Sequence, residues 1–200
     1  MLKQISLLVL LGMSASAMAG QWQVKVGASV VAPTSDTQHA GLKIEADDEW
    51  AFTPSVEYFF NDNISTELLL ATPINHDVLV EGKSAASLKH LPPTWTVKYN
   101  FKNTSDFTPY VGIGLIAFLP WDESTHGILK GAKLKVQEDI GFAGQVGMSY
   151  QPKAWNNWGA YVDVRYAQLD PKVTTNVPGV GTFNLDIDPL VYTFGVSYKF

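Results

Sequence analysis

A serine–histidine pair and two further histidines are the side chains whose types could support catalysis or metal binding. Ser124 and His126 are close enough for a nucleophile and its general base, although no orienting acid accompanies them. His76, next to Asp77, could meet His90 as a metal ligand across one connection. Because no fixed scaffold holds either set, the sequence predicts no catalytic residue, no metal site and no cofactor, and therefore no enzyme.

One glycine pattern and the overall composition exclude further classes of function. Gly112, Gly114 and Ala117 superficially match a dinucleotide-binding fingerprint, but that motif needs a helix directly after it, and these residues lie inside a predicted strand. The chain has no cysteine, so it forms no disulfide and supports no thiolate chemistry. A net charge of −5 without a basic patch argues against a nucleic-acid partner.

Alternation of bulky apolar residues with small or polar ones is the pattern that organises the chain. The final stretch, DPLVYTFGVSYKF, shows this period of two most clearly. Most matching segments are close to the ~9–11 residues of a tilted membrane strand. The pattern predicts eight strands, at residues 22–31, 50–60, 64–72, 90–101, 107–119, 139–150, 158–169 and 188–200.

The connections between these strands alternate strictly between short and long. The long ones are residues 33–49, 73–89, 120–138 and 170–187, and their polar character predicts loops. This rhythm is typical of an all-β, eight-stranded antiparallel transmembrane β-barrel with short periplasmic turns and longer extracellular loops. It places the N- and C-termini in the periplasm.

The first residues have the pattern of an export signal. Lys3 provides a positive charge, residues 5–11 form a short apolar core, and Ala17 and Ala19 flank a small-x-small cleavage site. The apolar core is well short of the ~20 residues of a spanning helix. We therefore predict a signal peptide at 1–19 and one outer-membrane β-barrel domain at 20–200, in a Gram-negative cell.

Volume decides which face of the strands points outward. A soluble lipocalin-like barrel would place the bulky face inside, and Gly20-Gln21-Trp22 even resembles the first strand of that family. An eight-stranded barrel has an interior that side chains just fill, so it could not hold some forty large residues. The bulky face must therefore contact outer-membrane lipid, and the faces rich in glycine, alanine and serine must line the lumen.

The inward residues differ between the two halves of the predicted barrel. The periplasmic half carries mixed charges, which must pair when buried, and predicts a polar lumen plug of Lys25, Glu57, Glu67, Lys98, Asp163, Arg165 and Lys199. The extracellular half is apolar and predicts a ligand-lining upper lumen of Val31, Leu69, Pro73, Pro92, Ile116, Phe118, Leu169, Pro189 and Val191.

An apolar pocket above a closed base suggests a route for a hydrophobic molecule. It would enter from outside and leave sideways between strands, where interior prolines remove ladder hydrogen bonds. Alternatively, the apolar residues only fill the top of the tube. At the other end, aromatic Tyr198 and the terminal Phe200 are typical of a signal that the barrel assembly machinery reads.

Several stretches together resemble the OmpW family of outer membrane proteins. They are ELLLATP (67–73) followed by His76, HLPPT (90–94), FTPYVGIG (107–114), AGQVG (143–147), LDIDP (185–189) and YKF (198–200). The resemblance implies an eight-stranded, porin-like barrel with a narrow channel that assists small hydrophobic molecules, and the related AlkL proteins import alkanes. It also implies colicin or phage as candidate partners, since family members serve as such receptors.

Two functional hypotheses stay open on the sequence. The first is an outer-membrane channel for passive uptake of small hydrophobic molecules, with lateral exit into the membrane. The second is a structural or receptor-type barrel with a closed lumen that acts through its extracellular loops. They differ in whether a hydrophobic molecule or only side chains occupy the upper lumen.

Overall fold

The computed structural model describes residues 21–200, and strands make up about two thirds of them. The predicted signal peptide, residues 1–19, lies outside the described residues. Short 3₁₀ turns occur at Gly127–Leu129 and Lys153–Trp155. The strands are β1 (Trp22–Pro33), β2 (Thr37–His39), β3 (Leu42–Ala46), β4 (Glu49–Phe59), β5 (Ile64–Leu69), β6 (Ile74–Val80), β7 (Lys83–Leu91), β8 (Thr94–Asn100), β9 (Phe107–Thr125), β10 (Leu134–Val136), β11 (Asp139–Tyr150), β12 (Trp158–Ala167), β13 (Lys172–Thr175), β14 (Thr182–Asn184) and β15 (Pro189–Lys199). In residues 21–200, helices of a length and apolarity that would cross a membrane do not occur.

Eight of these strands close into an antiparallel barrel. The order around the barrel is β1, β4, β5, β8, β9, β11, β12 and β15, with each strand antiparallel to its neighbour. β15 closes the ring on β1, from the pair Gln23–Lys199 to the pair Pro33–Pro189. The predicted fold class is confirmed, and the eight barrel strands correspond to the eight predicted segments.

The outer face of the barrel carries the bulky apolar residues, as expected from the limited volume of the lumen. Ile113 is 75% exposed and Phe142 is 73% exposed, although both lie within long strands. Exposure of a continuous apolar band of this size to water would be unfavourable. The band therefore contacts membrane lipid, and no further protein layer has to cover it.

A belt of aromatic side chains surrounds the end of the barrel that contains residues 21 and 200, and we call this end the base. Trp22 packs on Tyr58 with ring centroids 4.9 Å apart, and Phe107 packs on Tyr150 at 4.6 Å. Trp158 continues the belt across the next strand pair by packing on Tyr198 of β15. Such belts lie at the boundary between lipid and water, so this one marks one edge of the membrane-spanning band.

The long connections are not loops, which corrects the expectation from the sequence. They contain β2, β3, β6 and β7, which continue the sheet of the barrel wall beyond the lipid-facing band, and β10, β13 and β14, which form a separate three-stranded sheet. We call these seven strands, together with residues 120–125 of β9, the upper extension. Two-residue turns at Ala40-Gly41 and Glu81-Gly82, all with positive φ, join two of its hairpins. Its inward residues, among them Ile44, Val80 and Leu88, pack into one apolar core.

Two barrel strands are shorter than predicted by three residues or more, and prolines account for one of them. The predicted strand at 90–101 divides at Pro92-Pro93, because neither residue has an N–H to donate to the ladder. His90 and Leu91 consequently belong to β7, whereas β8 starts at Thr94. β5 ends at Leu69, although the backbone N–H of Thr72 still donates to the carbonyl of Phe52.

Close packing inside the lumen can be tested at one glycine. A Cβ at Gly147 would overlap the phenol of Tyr110, a side chain that is fully buried in the lumen. We expect Gly147→Ala to lower the free energy of unfolding by about 1–3 kcal/mol in urea titrations of the barrel in vesicles. Gly144→Ala on the same strand is the matched control, since a Cβ there meets no atom within 4 Å. Equal stability of the two variants would contradict this packing.

Candidate functional site

The lower half of the lumen is filled by one network of buried ion pairs. Glu67 contacts Lys25 at 3.3 Å and Lys98 at 3.2 Å. Glu57 pairs with the same two lysines, at 3.0 Å from Lys98. All four side chains are at most 3% exposed, so these charges neutralise one another without water.

A second ring of hydrogen bonds surrounds this square of charges. Ser55 donates to Glu67 at 2.6 Å, and Ser65 donates to Glu57 at 2.5 Å. Tyr110 lies beneath Lys98, whose Nζ is 3.8 Å from the centre of the ring. The carboxylate oxygens are thereby satisfied on several sides, which makes the network rigid and closes the tube.

Arg165 and Asp163 continue the network upward on β12. Arg165 Nη2 lies 3.6 Å from Asp163 and 3.8 Å from Glu67, and it donates a hydrogen bond to Gln145. Asp163 also accepts a hydrogen bond from Tyr110 at 3.0 Å. Six of the seven residues predicted for the polar plug are thus brought together, with three cations facing three anions.

Lys199 is the predicted plug residue that the structure places elsewhere. Its Nζ lies 4.3 Å from the centre of the Phe59 ring, at the base of the barrel. None of the ion pairs formed within residues 21–200 includes Lys199. The reason is depth, because Lys199 ends β15 opposite Gln23 and so lies one inward position below Lys25.

An apolar cavity of about 50 Å³ lies directly above the network, and we call it the lower cavity. Its lining contains eight of the nine residues predicted for the upper lumen, namely Val31, Leu69, Pro92, Ile116, Phe118, Leu169, Pro189 and Val191. Pro73 is the exception and is exposed. Thr72 and Pro73 both point outward, so the alternation slips by one residue and Ile74 takes the inward position.

Other lining residues of the lower cavity come from segments that were expected to be loops. They are Ala46, Ile74, His76, Val78, Leu88, Leu185 and Ile187, and His90 joins them from the predicted strand at 90–101. The alternation in residues 74–80 and 83–91 around the Glu81-Gly82 turn is a hairpin signal that could have revealed four of the seven. Leu185 and Ile187 follow β14 as irregular chain, and they continue toward the N-terminus the period of two in which Pro189 and Val191 face the cavity.

A second apolar cavity of about 60 Å³ lies within the upper extension, and we call it the upper cavity. It shares Val78, Leu88 and Leu185 with the lower cavity. These three side chains form the constriction between the two spaces. Together the cavities mark an interrupted apolar path that leads from the upper extension to Arg165 and stops there.

Among residues 21–200, the histidines are not arranged in the two sets that the sequence suggested. His76 and His90 stack face to face at 5.1 Å between ring centres, and no group of three potential metal ligands occurs among residues 21–200. His126 shares a hydrogen bond with Ser84, whereas Ser124 is bonded to Ser87. The pair of Ser124 and His126 therefore does not meet. Gly112 and Gly114 lie within β9, with no helix after them.

The stacked histidines should make the upper extension sensitive to acid. Burial, and then the proximity of His76, lower the pKa of His90 to about 3, and burial also lowers the pKa of His76. Between that value and the ordinary pKa of about 6.5, the unfolded segment binds protons that the folded one excludes. We expect hydrogen-exchange protection factors in β6 and β7 to fall as pH drops from 6.5 toward 4. His90→Phe should flatten this profile, and an unchanged profile would contradict the assignment.

The aromatic residues at the C-terminal end of the barrel lie on its outer face, as the alternation predicts. Phe200 is 46% exposed, packs edge-on against Tyr198 at 5.0 Å, and donates its backbone N–H to Trp22. We propose that Tyr198 and Phe200 are read by the barrel assembly machinery before insertion. Deletion of Phe200 should reduce the amount of barrel inserted in cells, as measured by heat-modifiable gel mobility, while refolding of the purified chain in detergent stays efficient. Equal insertion of both forms in cells would contradict this role.

Comparison with known proteins places this architecture in a family. The sequence model of the OmpW family matches residues 18–200. Outer membrane protein W of Vibrio cholerae is 32% identical, and the match covers 90% of this chain and 89% of that protein. Outer membrane protein W of Escherichia coli K12 is 29% identical over 91% of this chain and 89% of its own.

Solved structures agree with this result. The crystal structure of outer membrane protein OprG from Pseudomonas aeruginosa superposes with a TM-score of 0.81 at 31% identity, covering 92% of this chain and 97% of that one. Outer membrane protein AlkL, solved in lipid bilayers, superposes with a TM-score of 0.67 at 24% identity, with 94% and 93% covered, and so supports the fold. The closed eight-stranded barrel, the lipid-facing band and these matches agree: the chain belongs to the OmpW family and is an outer membrane protein.

Proposed function

We propose that the protein is a passive channel that takes small hydrophobic molecules into its upper lumen and releases them sideways into the membrane. The observation that carries the proposal is the position of the lower cavity. It is an apolar space enclosed by the barrel wall, and its floor is a neutral network of buried ion pairs. Such a lining offers a polar solute no favourable interaction. Transfer of a hydrophobic solute from water into the cavity is favourable by roughly 25 cal/mol per Å² of buried apolar surface.

Straight passage toward the base is opposed by the ion pairs. A molecule that moved past Arg165 would have to separate Glu57 and Glu67 from Lys25 and Lys98. Leaving one member of a buried pair without its partner costs about 3–5 kcal/mol, and several pairs would open together. An apolar molecule offers no compensating interaction, so the sideways route is the easier one.

Two places in the barrel wall next to the lower cavity have weakened strand pairing. Pro92-Pro93 separates β7 from β8, and Pro92 lines the cavity. Pro189, also in the lining, faces Pro33 across the β1–β15 seam, so neither residue can donate a ladder hydrogen bond. We propose that lateral exit uses one of these two seams and that the base faces the periplasm.

The small volume of the cavities favours a second candidate function. Spaces of about 50 and 60 Å³ hold only a few water-sized groups, so side chains nearly close the lumen. A barrel with a closed lumen would act through the upper extension, as a structural element or as a receptor for a colicin or phage.

Uptake measurements separate the two functions. We would compare a deletion strain with a strain complemented by the full chain, using a radiolabelled alkane and a sugar of similar size. The channel predicts faster uptake of the alkane alone, and no ion conductance when the purified barrel is placed in planar bilayers. Equal alkane uptake in both strains would reject the channel and favour the closed, receptor-type barrel.

A further inference from the structure

The floor of the lower cavity has a charge that a path for pure hydrocarbons does not require. Among the described residues that line this cavity, Arg165 is the one Lys, Arg, Asp or Glu side chain. It is 3% exposed and pairs in register with Val191 on β15, another residue of the lining. Its guanidinium therefore lies where the apolar wall ends and the network begins.

The pairing of Arg165 is weaker than that of the two lysines. Its distances to carboxylate oxygens are 3.6 and 3.8 Å, against 3.0 and 3.2 Å for Lys98. Its Nε is buried without a hydrogen-bond partner. An unsatisfied donor on a buried charged group is more destabilising than one on a neutral group, so an acceptor that binds here would be favoured.

The nearby acids are already satisfied by other groups. Glu67 accepts a hydrogen bond from Ser55 and contacts both lysines, and Asp163 accepts one from Tyr110. Arg165 is consequently the cation of the network that still has an N–H donor without a partner. This donor belongs to a side chain at the end of an apolar path that begins in the upper extension.

We propose that the lower cavity binds amphiphiles with one carboxylate, and that Arg165 receives this headgroup. The inference rests on the proposed channel function and specifies its substrate class. A guanidinium matches a carboxylate through two parallel hydrogen bonds, and its weak hydration suits it to a dry site. The apolar tail would rise between Leu69, Ile116, Phe118 and Leu169 toward the constriction.

The dimensions of the path favour a slender tail. Residues 88, 90, 92 and 94 all line the cavity. The cavity therefore extends along about 20 Å of chain, at ~3.3 Å per residue. A volume of about 50 Å³ over that length leaves room for an unbranched acyl chain only if side chains such as Leu69 and Leu169 change rotamer. Rings and branched molecules would require the barrel wall itself to move.

Matched ligands test the headgroup separately from the tail. We would titrate the full mature barrel, in neutral-lipid nanodiscs, with decanoate and with decanol, and correct for partitioning into empty nanodiscs. Decanoate should bind at least tenfold more tightly than decanol. Arg165→Gln should remove this difference by weakening decanoate alone, and Lys199→Gln, at the base, should change neither affinity.

The outcomes distinguish the inference from the function on which it rests. If neither ligand binds, both the channel and the inference fail. If both bind equally and Arg165→Gln changes nothing, the channel stands and the headgroup site is rejected. Should Arg165→Gln fail to fold, ¹³C-carboxyl decanoate gives the answer with the unaltered protein. The bound carboxyl should titrate at least one pH unit below the free one, and an unshifted titration would reject the site.

Discussion

Replacing Glu67 by glutamine is expected to destabilise the barrel by about 3–5 kcal/mol, the largest effect of a single lumen substitution. Glu67 lies within 4 Å of Lys25, Lys98 and Arg165, and all four side chains are buried. Loss of its charge leaves three cations facing Glu57 and Asp163 in a dry tube. Urea unfolding of the barrel in lipid vesicles, followed by tryptophan fluorescence, measures the change.

An exposed ion pair provides the control for this experiment. Lys89 and Asp122 are 2.6 Å apart in the upper extension, with side chains that are 44% and 62% exposed. Solvent screens such a pair, so Lys89→Met should leave the unfolding midpoint within error. Combining Glu67→Gln with Lys98→Met should recover part of the lost stability, since it restores the charge balance. Equal stability of Glu67→Gln and Lys89→Met would show that water reaches the network.

The features that follow a strict period of two were predictable from the sequence. Once the bulky face is assigned to lipid, every second residue is fixed in the lumen, and charges at those positions must meet because the tube is narrow. Lys25, Glu57 and Lys98 are such cases. The same reasoning placed eight residues of the lining of the lower cavity in the lumen, because they share this alternation.

The predictions are wrong where the alternation of inward and outward residues shifts, or where a residue lies deeper along the barrel axis than its neighbours in the predicted set. At Thr72-Pro73 two successive residues point outward, which no alternation pattern reveals, so Pro73 was wrongly placed in the lumen. Lys199 has the correct phase but lies at the base, where it meets Phe59 instead of an acid. Depth depends on strand tilt and register, and these are set by all eight strands together.

The sequence predicts loops where the upper extension lies, because its segments are polar. Seven of the seventeen residues at 33–49 are Asp, Glu, Lys or Gly, and the apolar positions are few. These positions still alternate, and Ile44 and Val80 face each other across paired strands in the apolar core. The outer face of these strands meets water and carries few large apolar residues, so their alternation rests on a few inward side chains and is weaker than that of the lipid-facing strands.

The continuity of the apolar path predicts the second large effect. Phe118 is 2% exposed, lines the lower cavity and packs against His90 at 4.6 Å between ring centres. An aspartate in its place would bring a carboxylate and its water into the path, and a hydrophobic molecule would have to displace that water to pass. We expect Phe118→Asp to reduce alkane uptake at least tenfold in the complemented strain.

Two variants decide whether such a loss comes from the cavity. Ser124→Asp adds the same charge to the same strand at an exposed position and should leave uptake unchanged. Phe118→Leu keeps the wall apolar and should retain most of the uptake, whereas a purely structural defect would follow the loss of the ring. Heat-modifiable gel mobility confirms which variants are folded. If folded Phe118→Asp transports alkane at the normal rate, then the solute does not pass through the lower cavity, and the lateral route must begin above it, in the upper extension.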